Sequence, residues 1–340
     1  MHALHVPLPK ETGHSLSLRA RKCLFFFVLL GSFGIAYCYF AYSCSLKLPS
    51  ATQPFRLYSN QLGSNLHQLF VEALSHAHQS IFLEVYSITE KNILRLLEAQ
   101  RRKGLLIHIL SDKKASPQLK KQKNIGLSFH RGRGLMHRKI VLIDDELILI
   151  GSTNFTKASL TMHDNLVIAL FDRKLAQFLK QIDAPFSYHE KTWDVWKLPE
   201  AGKEALAHLE KTIQSAKKTI HIALFTFTHE PLALRLIDAH QRGVKLSIAI
   251  DRYAAEGSSK KICTLLKTAG IPILISQGMA LLHHKWVLID GEILITGSAN
   301  WTKSAFEKNK ELLMNILLEK PDQAFMSSLW KTIQTSSIPL

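Results

Sequence analysis

Cysteine is scarce and poorly placed for structural use. Of four cysteines, Cys23, Cys38 and Cys44 lie in one N-terminal apolar run, and only Cys263 lies in the rest of the chain. No disulfide framework is therefore available to a globular fold, and no cysteine-rich metal site can be drawn. HExxH, CxxC and paired-carboxylate signatures are also missing, so no metal and no cofactor is implied. Acid is the second shortage. The sequence has 27 Asp and Glu against 43 Lys and Arg, a formal net charge of +16. Such an excess suits an anionic partner: nucleic acid, anionic lipid or a phosphorylated small molecule. The blander reading is a generically basic surface. With 46% hydrophobic and 21% charged residues in 340, the chain is globular rather than disordered and long enough for about two domains.

One segment lacks charge altogether. Residues 23–46 are rich in Phe, Leu, Tyr and Ala, and at about 1.5 Å per residue they are long enough to span a bilayer. Arg19, Arg21 and Lys22 precede the segment, whereas only Lys47 and Arg56 follow closely. The positive-inside bias predicts a cytoplasmic N-terminal segment (1–22), a transmembrane anchor (23–46) and the remaining chain across the membrane. A cleaved signal peptide is the rival reading, because Ala41-Tyr42-Ser43 carries small residues at a suitable separation.

After Pro49 and Pro54 the chain reads as an α/β unit written twice. In the first copy, apolar spacing predicts a helix from about 64, a strand at 80–86, a helix at 91–102 and a strand at 105–110 ending at Asp112. The second predicts a helix at 203–216, strands at 219–227 and 245–250, the latter ending at Asp251, and a helix at 260–268. This is duplication of a whole unit, with halves at 55–187 and 203–336. The junction contains Trp193 and Trp196, read as packing the halves together.

Each half ends in the same motif. The first reads His137-Arg138-Lys139, then Asp144, then Gly151-Ser152-Thr153-Asn154. The second reads His283-His284-Lys285, then Asp290, then Gly297-Ser298-Ala299-Asn300, with identical spacing. On a strand, residues two apart share a face, so each half projects an imidazole beside an ammonium. Asp144 and Asp290 fall at turns between β runs and are assigned a structural role. Gly151 and Gly297 permit a close turn. Ser152, Asn154, Ser298 and Asn300 can hydrogen-bond the non-bridging oxygens of a phosphate. Two lysines supply positive charge where a phosphoryl transition state gathers negative charge. One histidine would attack phosphorus and the other would protonate the leaving oxygen. A nucleophilic imidazole needs an acceptor on its second nitrogen. Asp164 and Glu311, just downstream of each Gly-Ser-x-Asn, are the candidates. Arg138 alternates away from the site and reads as structural, while His163 and His284 have no assigned role.

These residues resemble the phospholipase D superfamily, whose HxKxxxxD and GSxN elements occur twice per active site. The resemblance covers roughly residues 60–335. It implies a duplicated α-β-α sandwich with two halves about a pseudo-two-fold axis, the site at their interface, and a metal-independent phosphohistidine mechanism. It also implies His137 as nucleophile and His283 as acid and base, the pseudo-symmetric reverse remaining open. Two substrates compete. A glycerophospholipid suits the N-terminal apolar segment and the apolar run Met279-Ala280-Leu281-Leu282, which could otherwise be core. Nucleic acid suits the basic stretch 113–123 with Arg131 and Arg133. A non-catalytic phosphate-binding module is the third reading. Two motifs in one chain require no protein partner to complete a site.

Overall fold

The computed structural model describes residues 46–121 and 126–340. The expected anchor, its signal-peptide alternative and the cytoplasmic segment fall outside the described residues, apart from Leu46. So does the end of the basic stretch. Among the described residues no helix is long and apolar enough to cross a membrane.

The first half forms a seven-stranded sheet. Its strands are β1 (Phe55–Ser59), β2 (Ser80–Val85), β3 (Leu106–Ser111), β4 (Gly126–Phe129), β5 (Lys139–Ile143), β6 (Leu147–Gly151) and β7 (Leu166–Phe171), in the order β1-β7-β6-β5-β2-β3-β4. The second half forms a nine-stranded sheet. It contains β8 (Ser187–His189), β9 (Trp193–Leu198), β10 (Thr219–Leu224), β11 (Lys245–Ile250), β12 (Ile273–Ser276), β13 (Lys285–Ile289), β14 (Ile293–Gly297), β15 (Glu311–Leu317) and β16 (Ser337–Pro339), in the order β16-β12-β11-β10-β13-β14-β15-β9-β8. The six strands from β7 to β4 match those from β15 to β12 one for one. In the first half β2, β3 and β4 run parallel and β5, β6 and β7 antiparallel, and in the second β10, β11 and β12 run parallel and β13, β14 and β15 antiparallel. The duplication expected from sequence is therefore present in strand order and direction.

Helices α1 (Leu66–Ser75) and α2 (Lys91–Arg102) belong to the first half. Short α3 (Lys157–Thr161) and α4 (Arg173–Lys180) flank its last strand. The second half carries α5 (Gly202–Ser215), α6 (Glu230–Gln241), α7 (Arg252–Glu256), α8 (Lys260–Thr268), α9 (Lys303–Glu307) and α10 (Lys320–Thr335). Local chemistry explains the boundaries: the Glu90 carboxylate accepts from Ile93 N–H at the start of α2, and Asp172 does the same for Leu175 at the start of α4.

Alternation along the strands divides the second sheet between two cores. Ile220, Ile222 and Leu224 face α5 and α6, whereas Ala223, Trp286, Leu288 and Met314 face a cluster shared with Ile140, Ile148 and Ile168 of the first sheet. This shared apolar layer, with α4 and α10 contributing, joins the halves. The junction is not a loose linker. It becomes strands β8 and β9, with β8 at the sheet edge and β9 paired between it and β15. Trp196 is buried in the second half's own core and its indole N–H donates to Glu204 at 2.8 Å, while Trp193 packs against the shared layer.

Candidate active site

The two motif histidines stand at the seam because each half lends the other a strand segment. His137 N–H donates to the Lys310 carbonyl and His283 N–H to the Asp164 carbonyl, each at 2.9 Å. Short bridges pair Met136 with Lys310 and Leu282 with Asp164. These are equivalent positions, since His283 follows His137 by the same interval that Lys310 follows Asp164. Lys139 and Lys285 then open β5 and β13, the central antiparallel strands. All four groups are well buried, His137 being the most open with 12% of its side chain exposed.

The partners of the two imidazoles differ. His137 Nδ1 lies 2.8 Å from the Glu311 carboxylate, which comes from the other half. His283 Nδ1 lies 3.0 Å from the side-chain oxygen of Asn165. Asn165 cannot be flipped without loss, because its amide nitrogen donates to the carbonyls of Ser159 and His163. His283 therefore carries its proton on Nδ1 and presents a bare Nε2. The expected orienting residue Asp164 does not take this place. It is one position too early, and on a strand that step turns the side chain to the opposite face. The signal was in the spacing: Asn165 and Glu311 each lie 13 residues after the motif serine.

The serines act on these partners. Ser152 Oγ donates to Asn165 at 2.8 Å and accepts from Leu166 N–H, while Ser298 Oγ donates to Glu311 and accepts from Leu312 N–H. Expected as phosphate ligands, both hydroxyls are instead occupied in fixing the residues that orient the imidazoles. Asn154 and Asn300 each keep a buried side-chain oxygen without a partner, and only their amide nitrogens could donate to a phosphate oxygen. Lys139 and Lys285 donate to the carbonyls of His137 and His283 at 2.6 and 2.9 Å.

Two aromatic neighbours were not anticipated. Tyr86 lies 5.1 Å from the His137 ring and Phe225 lies 5.1 Å from the His283 ring. Lys139 and Lys285 approach the same rings at 5.4 and 5.2 Å. Both aromatics directly follow equivalent strands, β2 and β10, a regularity visible in the sequence once those strands are aligned.

The remaining motif residues contact backbone around the site. Asp144 and Asp290 adopt positive φ, at 53° and 54°. Their carboxylates collect backbone N–H groups: His78, Gln79 and Ser80 for the first, Lys217, Lys218 and Thr219 for the second. A Cβ on Gly151 or Gly297 would fall 2.2 Å from the carbonyl oxygen of Leu166 or Leu312. Arg138 is buried, ion-paired with Glu84 at 3.0 Å, and donates to the carbonyls of Glu311 and Leu198. It positions Glu311 from behind. His284 is fully buried with Nε2 2.7 Å from Gln61, while His163 sits 6.2 Å from the His283 ring.

Burial dominates the electrostatics. It pushes the Lys139 ammonium down to about 7 against the pull of Glu311, and it drives Lys285 well below its ordinary value, helped by Lys139. Burial likewise lowers His137, opposed by Glu311, and holds His283 well below the usual histidine range, helped by both lysines. Burial pushes Glu311 up, but His137, Lys139 and Ser298 together keep it below its ordinary value. Asp164 is pushed up to about 7 by burial and by nearby Asp251. The result is a compact site whose lysines and histidines are held short of full charge until an anion joins them.

Comparison with known proteins now adds to this geometry. The family model described as "Cardiolipin synthase, PLD-like domain" matches residues 70–189 and 209–334, thus both halves. Human mitochondrial cardiolipin hydrolase is 34% identical over 123 residues, covering 36% of this chain and 47% of that protein. Phospholipase D of Rickettsia prowazekii is 30% identical over 125 residues, covering 37% and 60%. The chain spans about half the length of the curated relatives it matches. A phosphatidylserine synthase structure from Haemophilus influenzae covers 86% of this chain and 89% of its own, with a TM-score of 0.65 at 13% identity. At that identity the likeness is one of fold.

Proposed function

The chain belongs to the PLD-like domain family, and from that premise we propose that it is a phosphodiesterase acting on a glycerophospholipid through a phosphohistidine, without a metal. The observation that carries the proposal is the seam itself, where two His-Lys pairs converge and the two imidazoles have unlike partners.

His137 Nε2 attacks phosphorus while the bond to the leaving oxygen breaks, and His283 Nε2–H gives that oxygen its proton. The phosphorylated His137 ring is then cationic, and the Glu311 carboxylate on its Nδ1–H stabilises it for the lifetime of the intermediate. In the second step His283, now neutral, takes a proton from water as the hydroxyl attacks phosphorus and the P–N bond breaks. A neutral amide partner suits a group that must release and regain a proton in each cycle. Lys139, Lys285, Asn154 and Asn300 hold the non-bridging oxygens. Entry of the phosphate anion reverses the burial penalty on the lysines and on His283, so protonation accompanies binding.

A lipid is favoured by what surrounds the site. Leu282 is core, but Met279, three residues before it, is 84% exposed, and Met162, beside His163, is 53% exposed. The apolar segment 23–46 would hold the enzyme at the bilayer that carries its substrate. Nucleic acid is the second reading, favoured by a polar hollow lined by Lys113, His130 and Arg131. The test offers the full chain, in excess EDTA, liposomes of phosphatidylcholine or cardiolipin in parallel with single-stranded DNA and RNA. Phosphatidic acid release that disappears in both His137→Ala and His283→Ala supports the proposal. Histidine-dependent cleavage of nucleic acid alone replaces it with the nuclease.

A further inference from the structure

A cavity of about 510 Å³ lies away from the histidines, at the other end of the sheets. β1 contributes Phe55 and Arg56, β9 contributes Trp193, and α10 with the residue before it contributes Glu319, Asp322 and Phe325. Ile316, paired with Trp193, is five residues along β15 from Glu311, which places the cavity about 16 Å from the catalytic seam at ~3.3 Å per residue. No motif residue lines it.

Two of its N–H donors are unsatisfied. Arg56 Nε and Trp193 Nε1 are both buried and without a hydrogen-bond partner. Buried donors are rarely left so, and both side chains belong to residues that line this one cavity. The far end of the guanidinium is held by Gln53. Two carboxylates stand at the same cavity, Glu319 exposed and Asp322 half-buried. Glu319 precedes α10 without capping it. Burial and Glu319 push the Asp322 carboxyl up to about 6, with Arg56 pulling the other way. No ion pair joins either carboxylate to Arg56 among the described residues. Phe55, Trp193 and Phe325 add rings whose faces attract a cation. A plain anion would satisfy the donors but meet two carboxylates. A plain cation would satisfy the carboxylates but leave both donors unmade. The volume suits a small organic ion rather than one water.

We propose that this cavity is a non-catalytic binding site for a small zwitterion, an oxyanion tethered to an ammonium, as in phosphoethanolamine. The oxyanion accepts from Arg56 Nε and Trp193 Nε1, and the ammonium lies against Glu319, Asp322 and the aromatic faces. The same chemistry occurs in a free metabolite and in a lipid headgroup.

The test is calorimetric titration of the full chain carrying Lys139→Met and Lys285→Met, so that the catalytic seam has lost its phosphate-holding charge. Phosphoethanolamine should bind at one site, with inorganic phosphate and ethanolamine each at least tenfold weaker. Arg56→Gln and Trp193→Phe should each weaken phosphoethanolamine at least tenfold while melting close to the parent. Glu319→Gln with Asp322→Asn should remove the preference over inorganic phosphate. Competition by phosphatidylethanolamine vesicles identifies a headgroup as the source, and its absence identifies a free ligand; both support the site. No binding at millimolar phosphoethanolamine, equal binding of inorganic phosphate, or unchanged binding by Arg56→Gln overturns it.

Discussion

His137 and His283 occupy equivalent positions, yet one rests on a carboxylate and the other on an amide. Phosphorylation leaves a full positive charge on the attacking ring, which Glu311 can neutralise and Asn165 cannot. The difference is testable by changing the leaving group. With a lipid substrate, His137→Ala and His283→Ala should each lose about 10²–10⁴ in kcat. With a p-nitrophenyl phosphodiester, whose leaving group needs no proton, His283→Ala should still give a burst of nitrophenol in rapid quench, whereas His137→Ala should give none. A burst from His137→Ala instead would exchange the two roles. Lys139 carries a second prediction. Its ammonium titrates near 7 in the free protein, and a lowered lysine is neutral above that value. kcat/KM reports the free enzyme, so its fall with rising pH should begin where His283 loses its proton, below the usual histidine range, and steepen into a second limb above about 7, where Lys139 loses its own. Lys139→Arg, which stays charged, should move that limb to higher pH even if the rate is lower. At this scale the sequence was legible wherever the motif spacing could be counted. Asp164 and Glu311 follow Gly-Ser-x-Asn by a similar interval, but only Asn165 matches Glu311 residue for residue from the motif serine. The aromatics Tyr86 and Phe225 lie outside the motif, and only the fold brings them to it.

Elements hold the site through backbone approach as well as side-chain hydrogen bonds. Gly151 and Gly297 end β6 and β14 where the next strand's carbonyl leaves no room for a Cβ. Only Gly297 also has a positive φ, at 146°. Gly151→Ala should therefore cost about 1–3 kcal/mol from crowding alone, and Gly297→Ala more, by about 1 kcal/mol or above from backbone strain. Denaturant unfolding of the two variants measures the difference, and equal losses would remove the strain argument. The Asp290 turn gives a pH-dependent case. Burial pushes its carboxyl up, but N–H bonds from Thr219, Lys217 and Lys218 outweigh that and hold it below the ordinary value. A depressed carboxyl contributes stability that is present above its unfolded pKa of about 4 and fades as pH falls through the folded value. The carboxylate is partly exposed, so the effect is discounted to no more than about 2 kcal/mol. Asp290→Asn should melt below the parent at pH 7, with the gap narrowing towards pH 3. Elements were the most legible level. The helix at 91–102 and the strand at 245–250 stand where the apolar period placed them. The junction gave no strand signal, because β9 pairs with β15, more than a hundred residues on, and the edge strand β8 has only three residues.

Whole-molecule symmetry makes a claim that neither half can make alone. The first half supplies His137, Lys139 and Asn165, and the second supplies His283, Lys285 and Glu311. Each histidine is thus oriented by the half to which it does not belong, so a folded half has an imidazole without its acceptor. The shared layer of Ile140, Ile168, Trp286 and Met314 keeps the two sheets in register. In the sequence, duplication and repeated spacing were legible, but this exchange was not, because it depends on bridges between Met136 and Lys310 and between Leu282 and Asp164. The consequence concerns stoichiometry. One chain builds one complete site, so mixing His137→Ala chains with His283→Ala chains should restore no activity, whether or not the protein self-associates. Were the sites shared between chains, co-refolding the two variants would produce some intact pairings and activity would rise well above that of either variant. Co-refolding followed by a phosphodiesterase assay separates the cases. Recovery would mean that the halves swap between chains and that the bridges across the seam form intermolecularly.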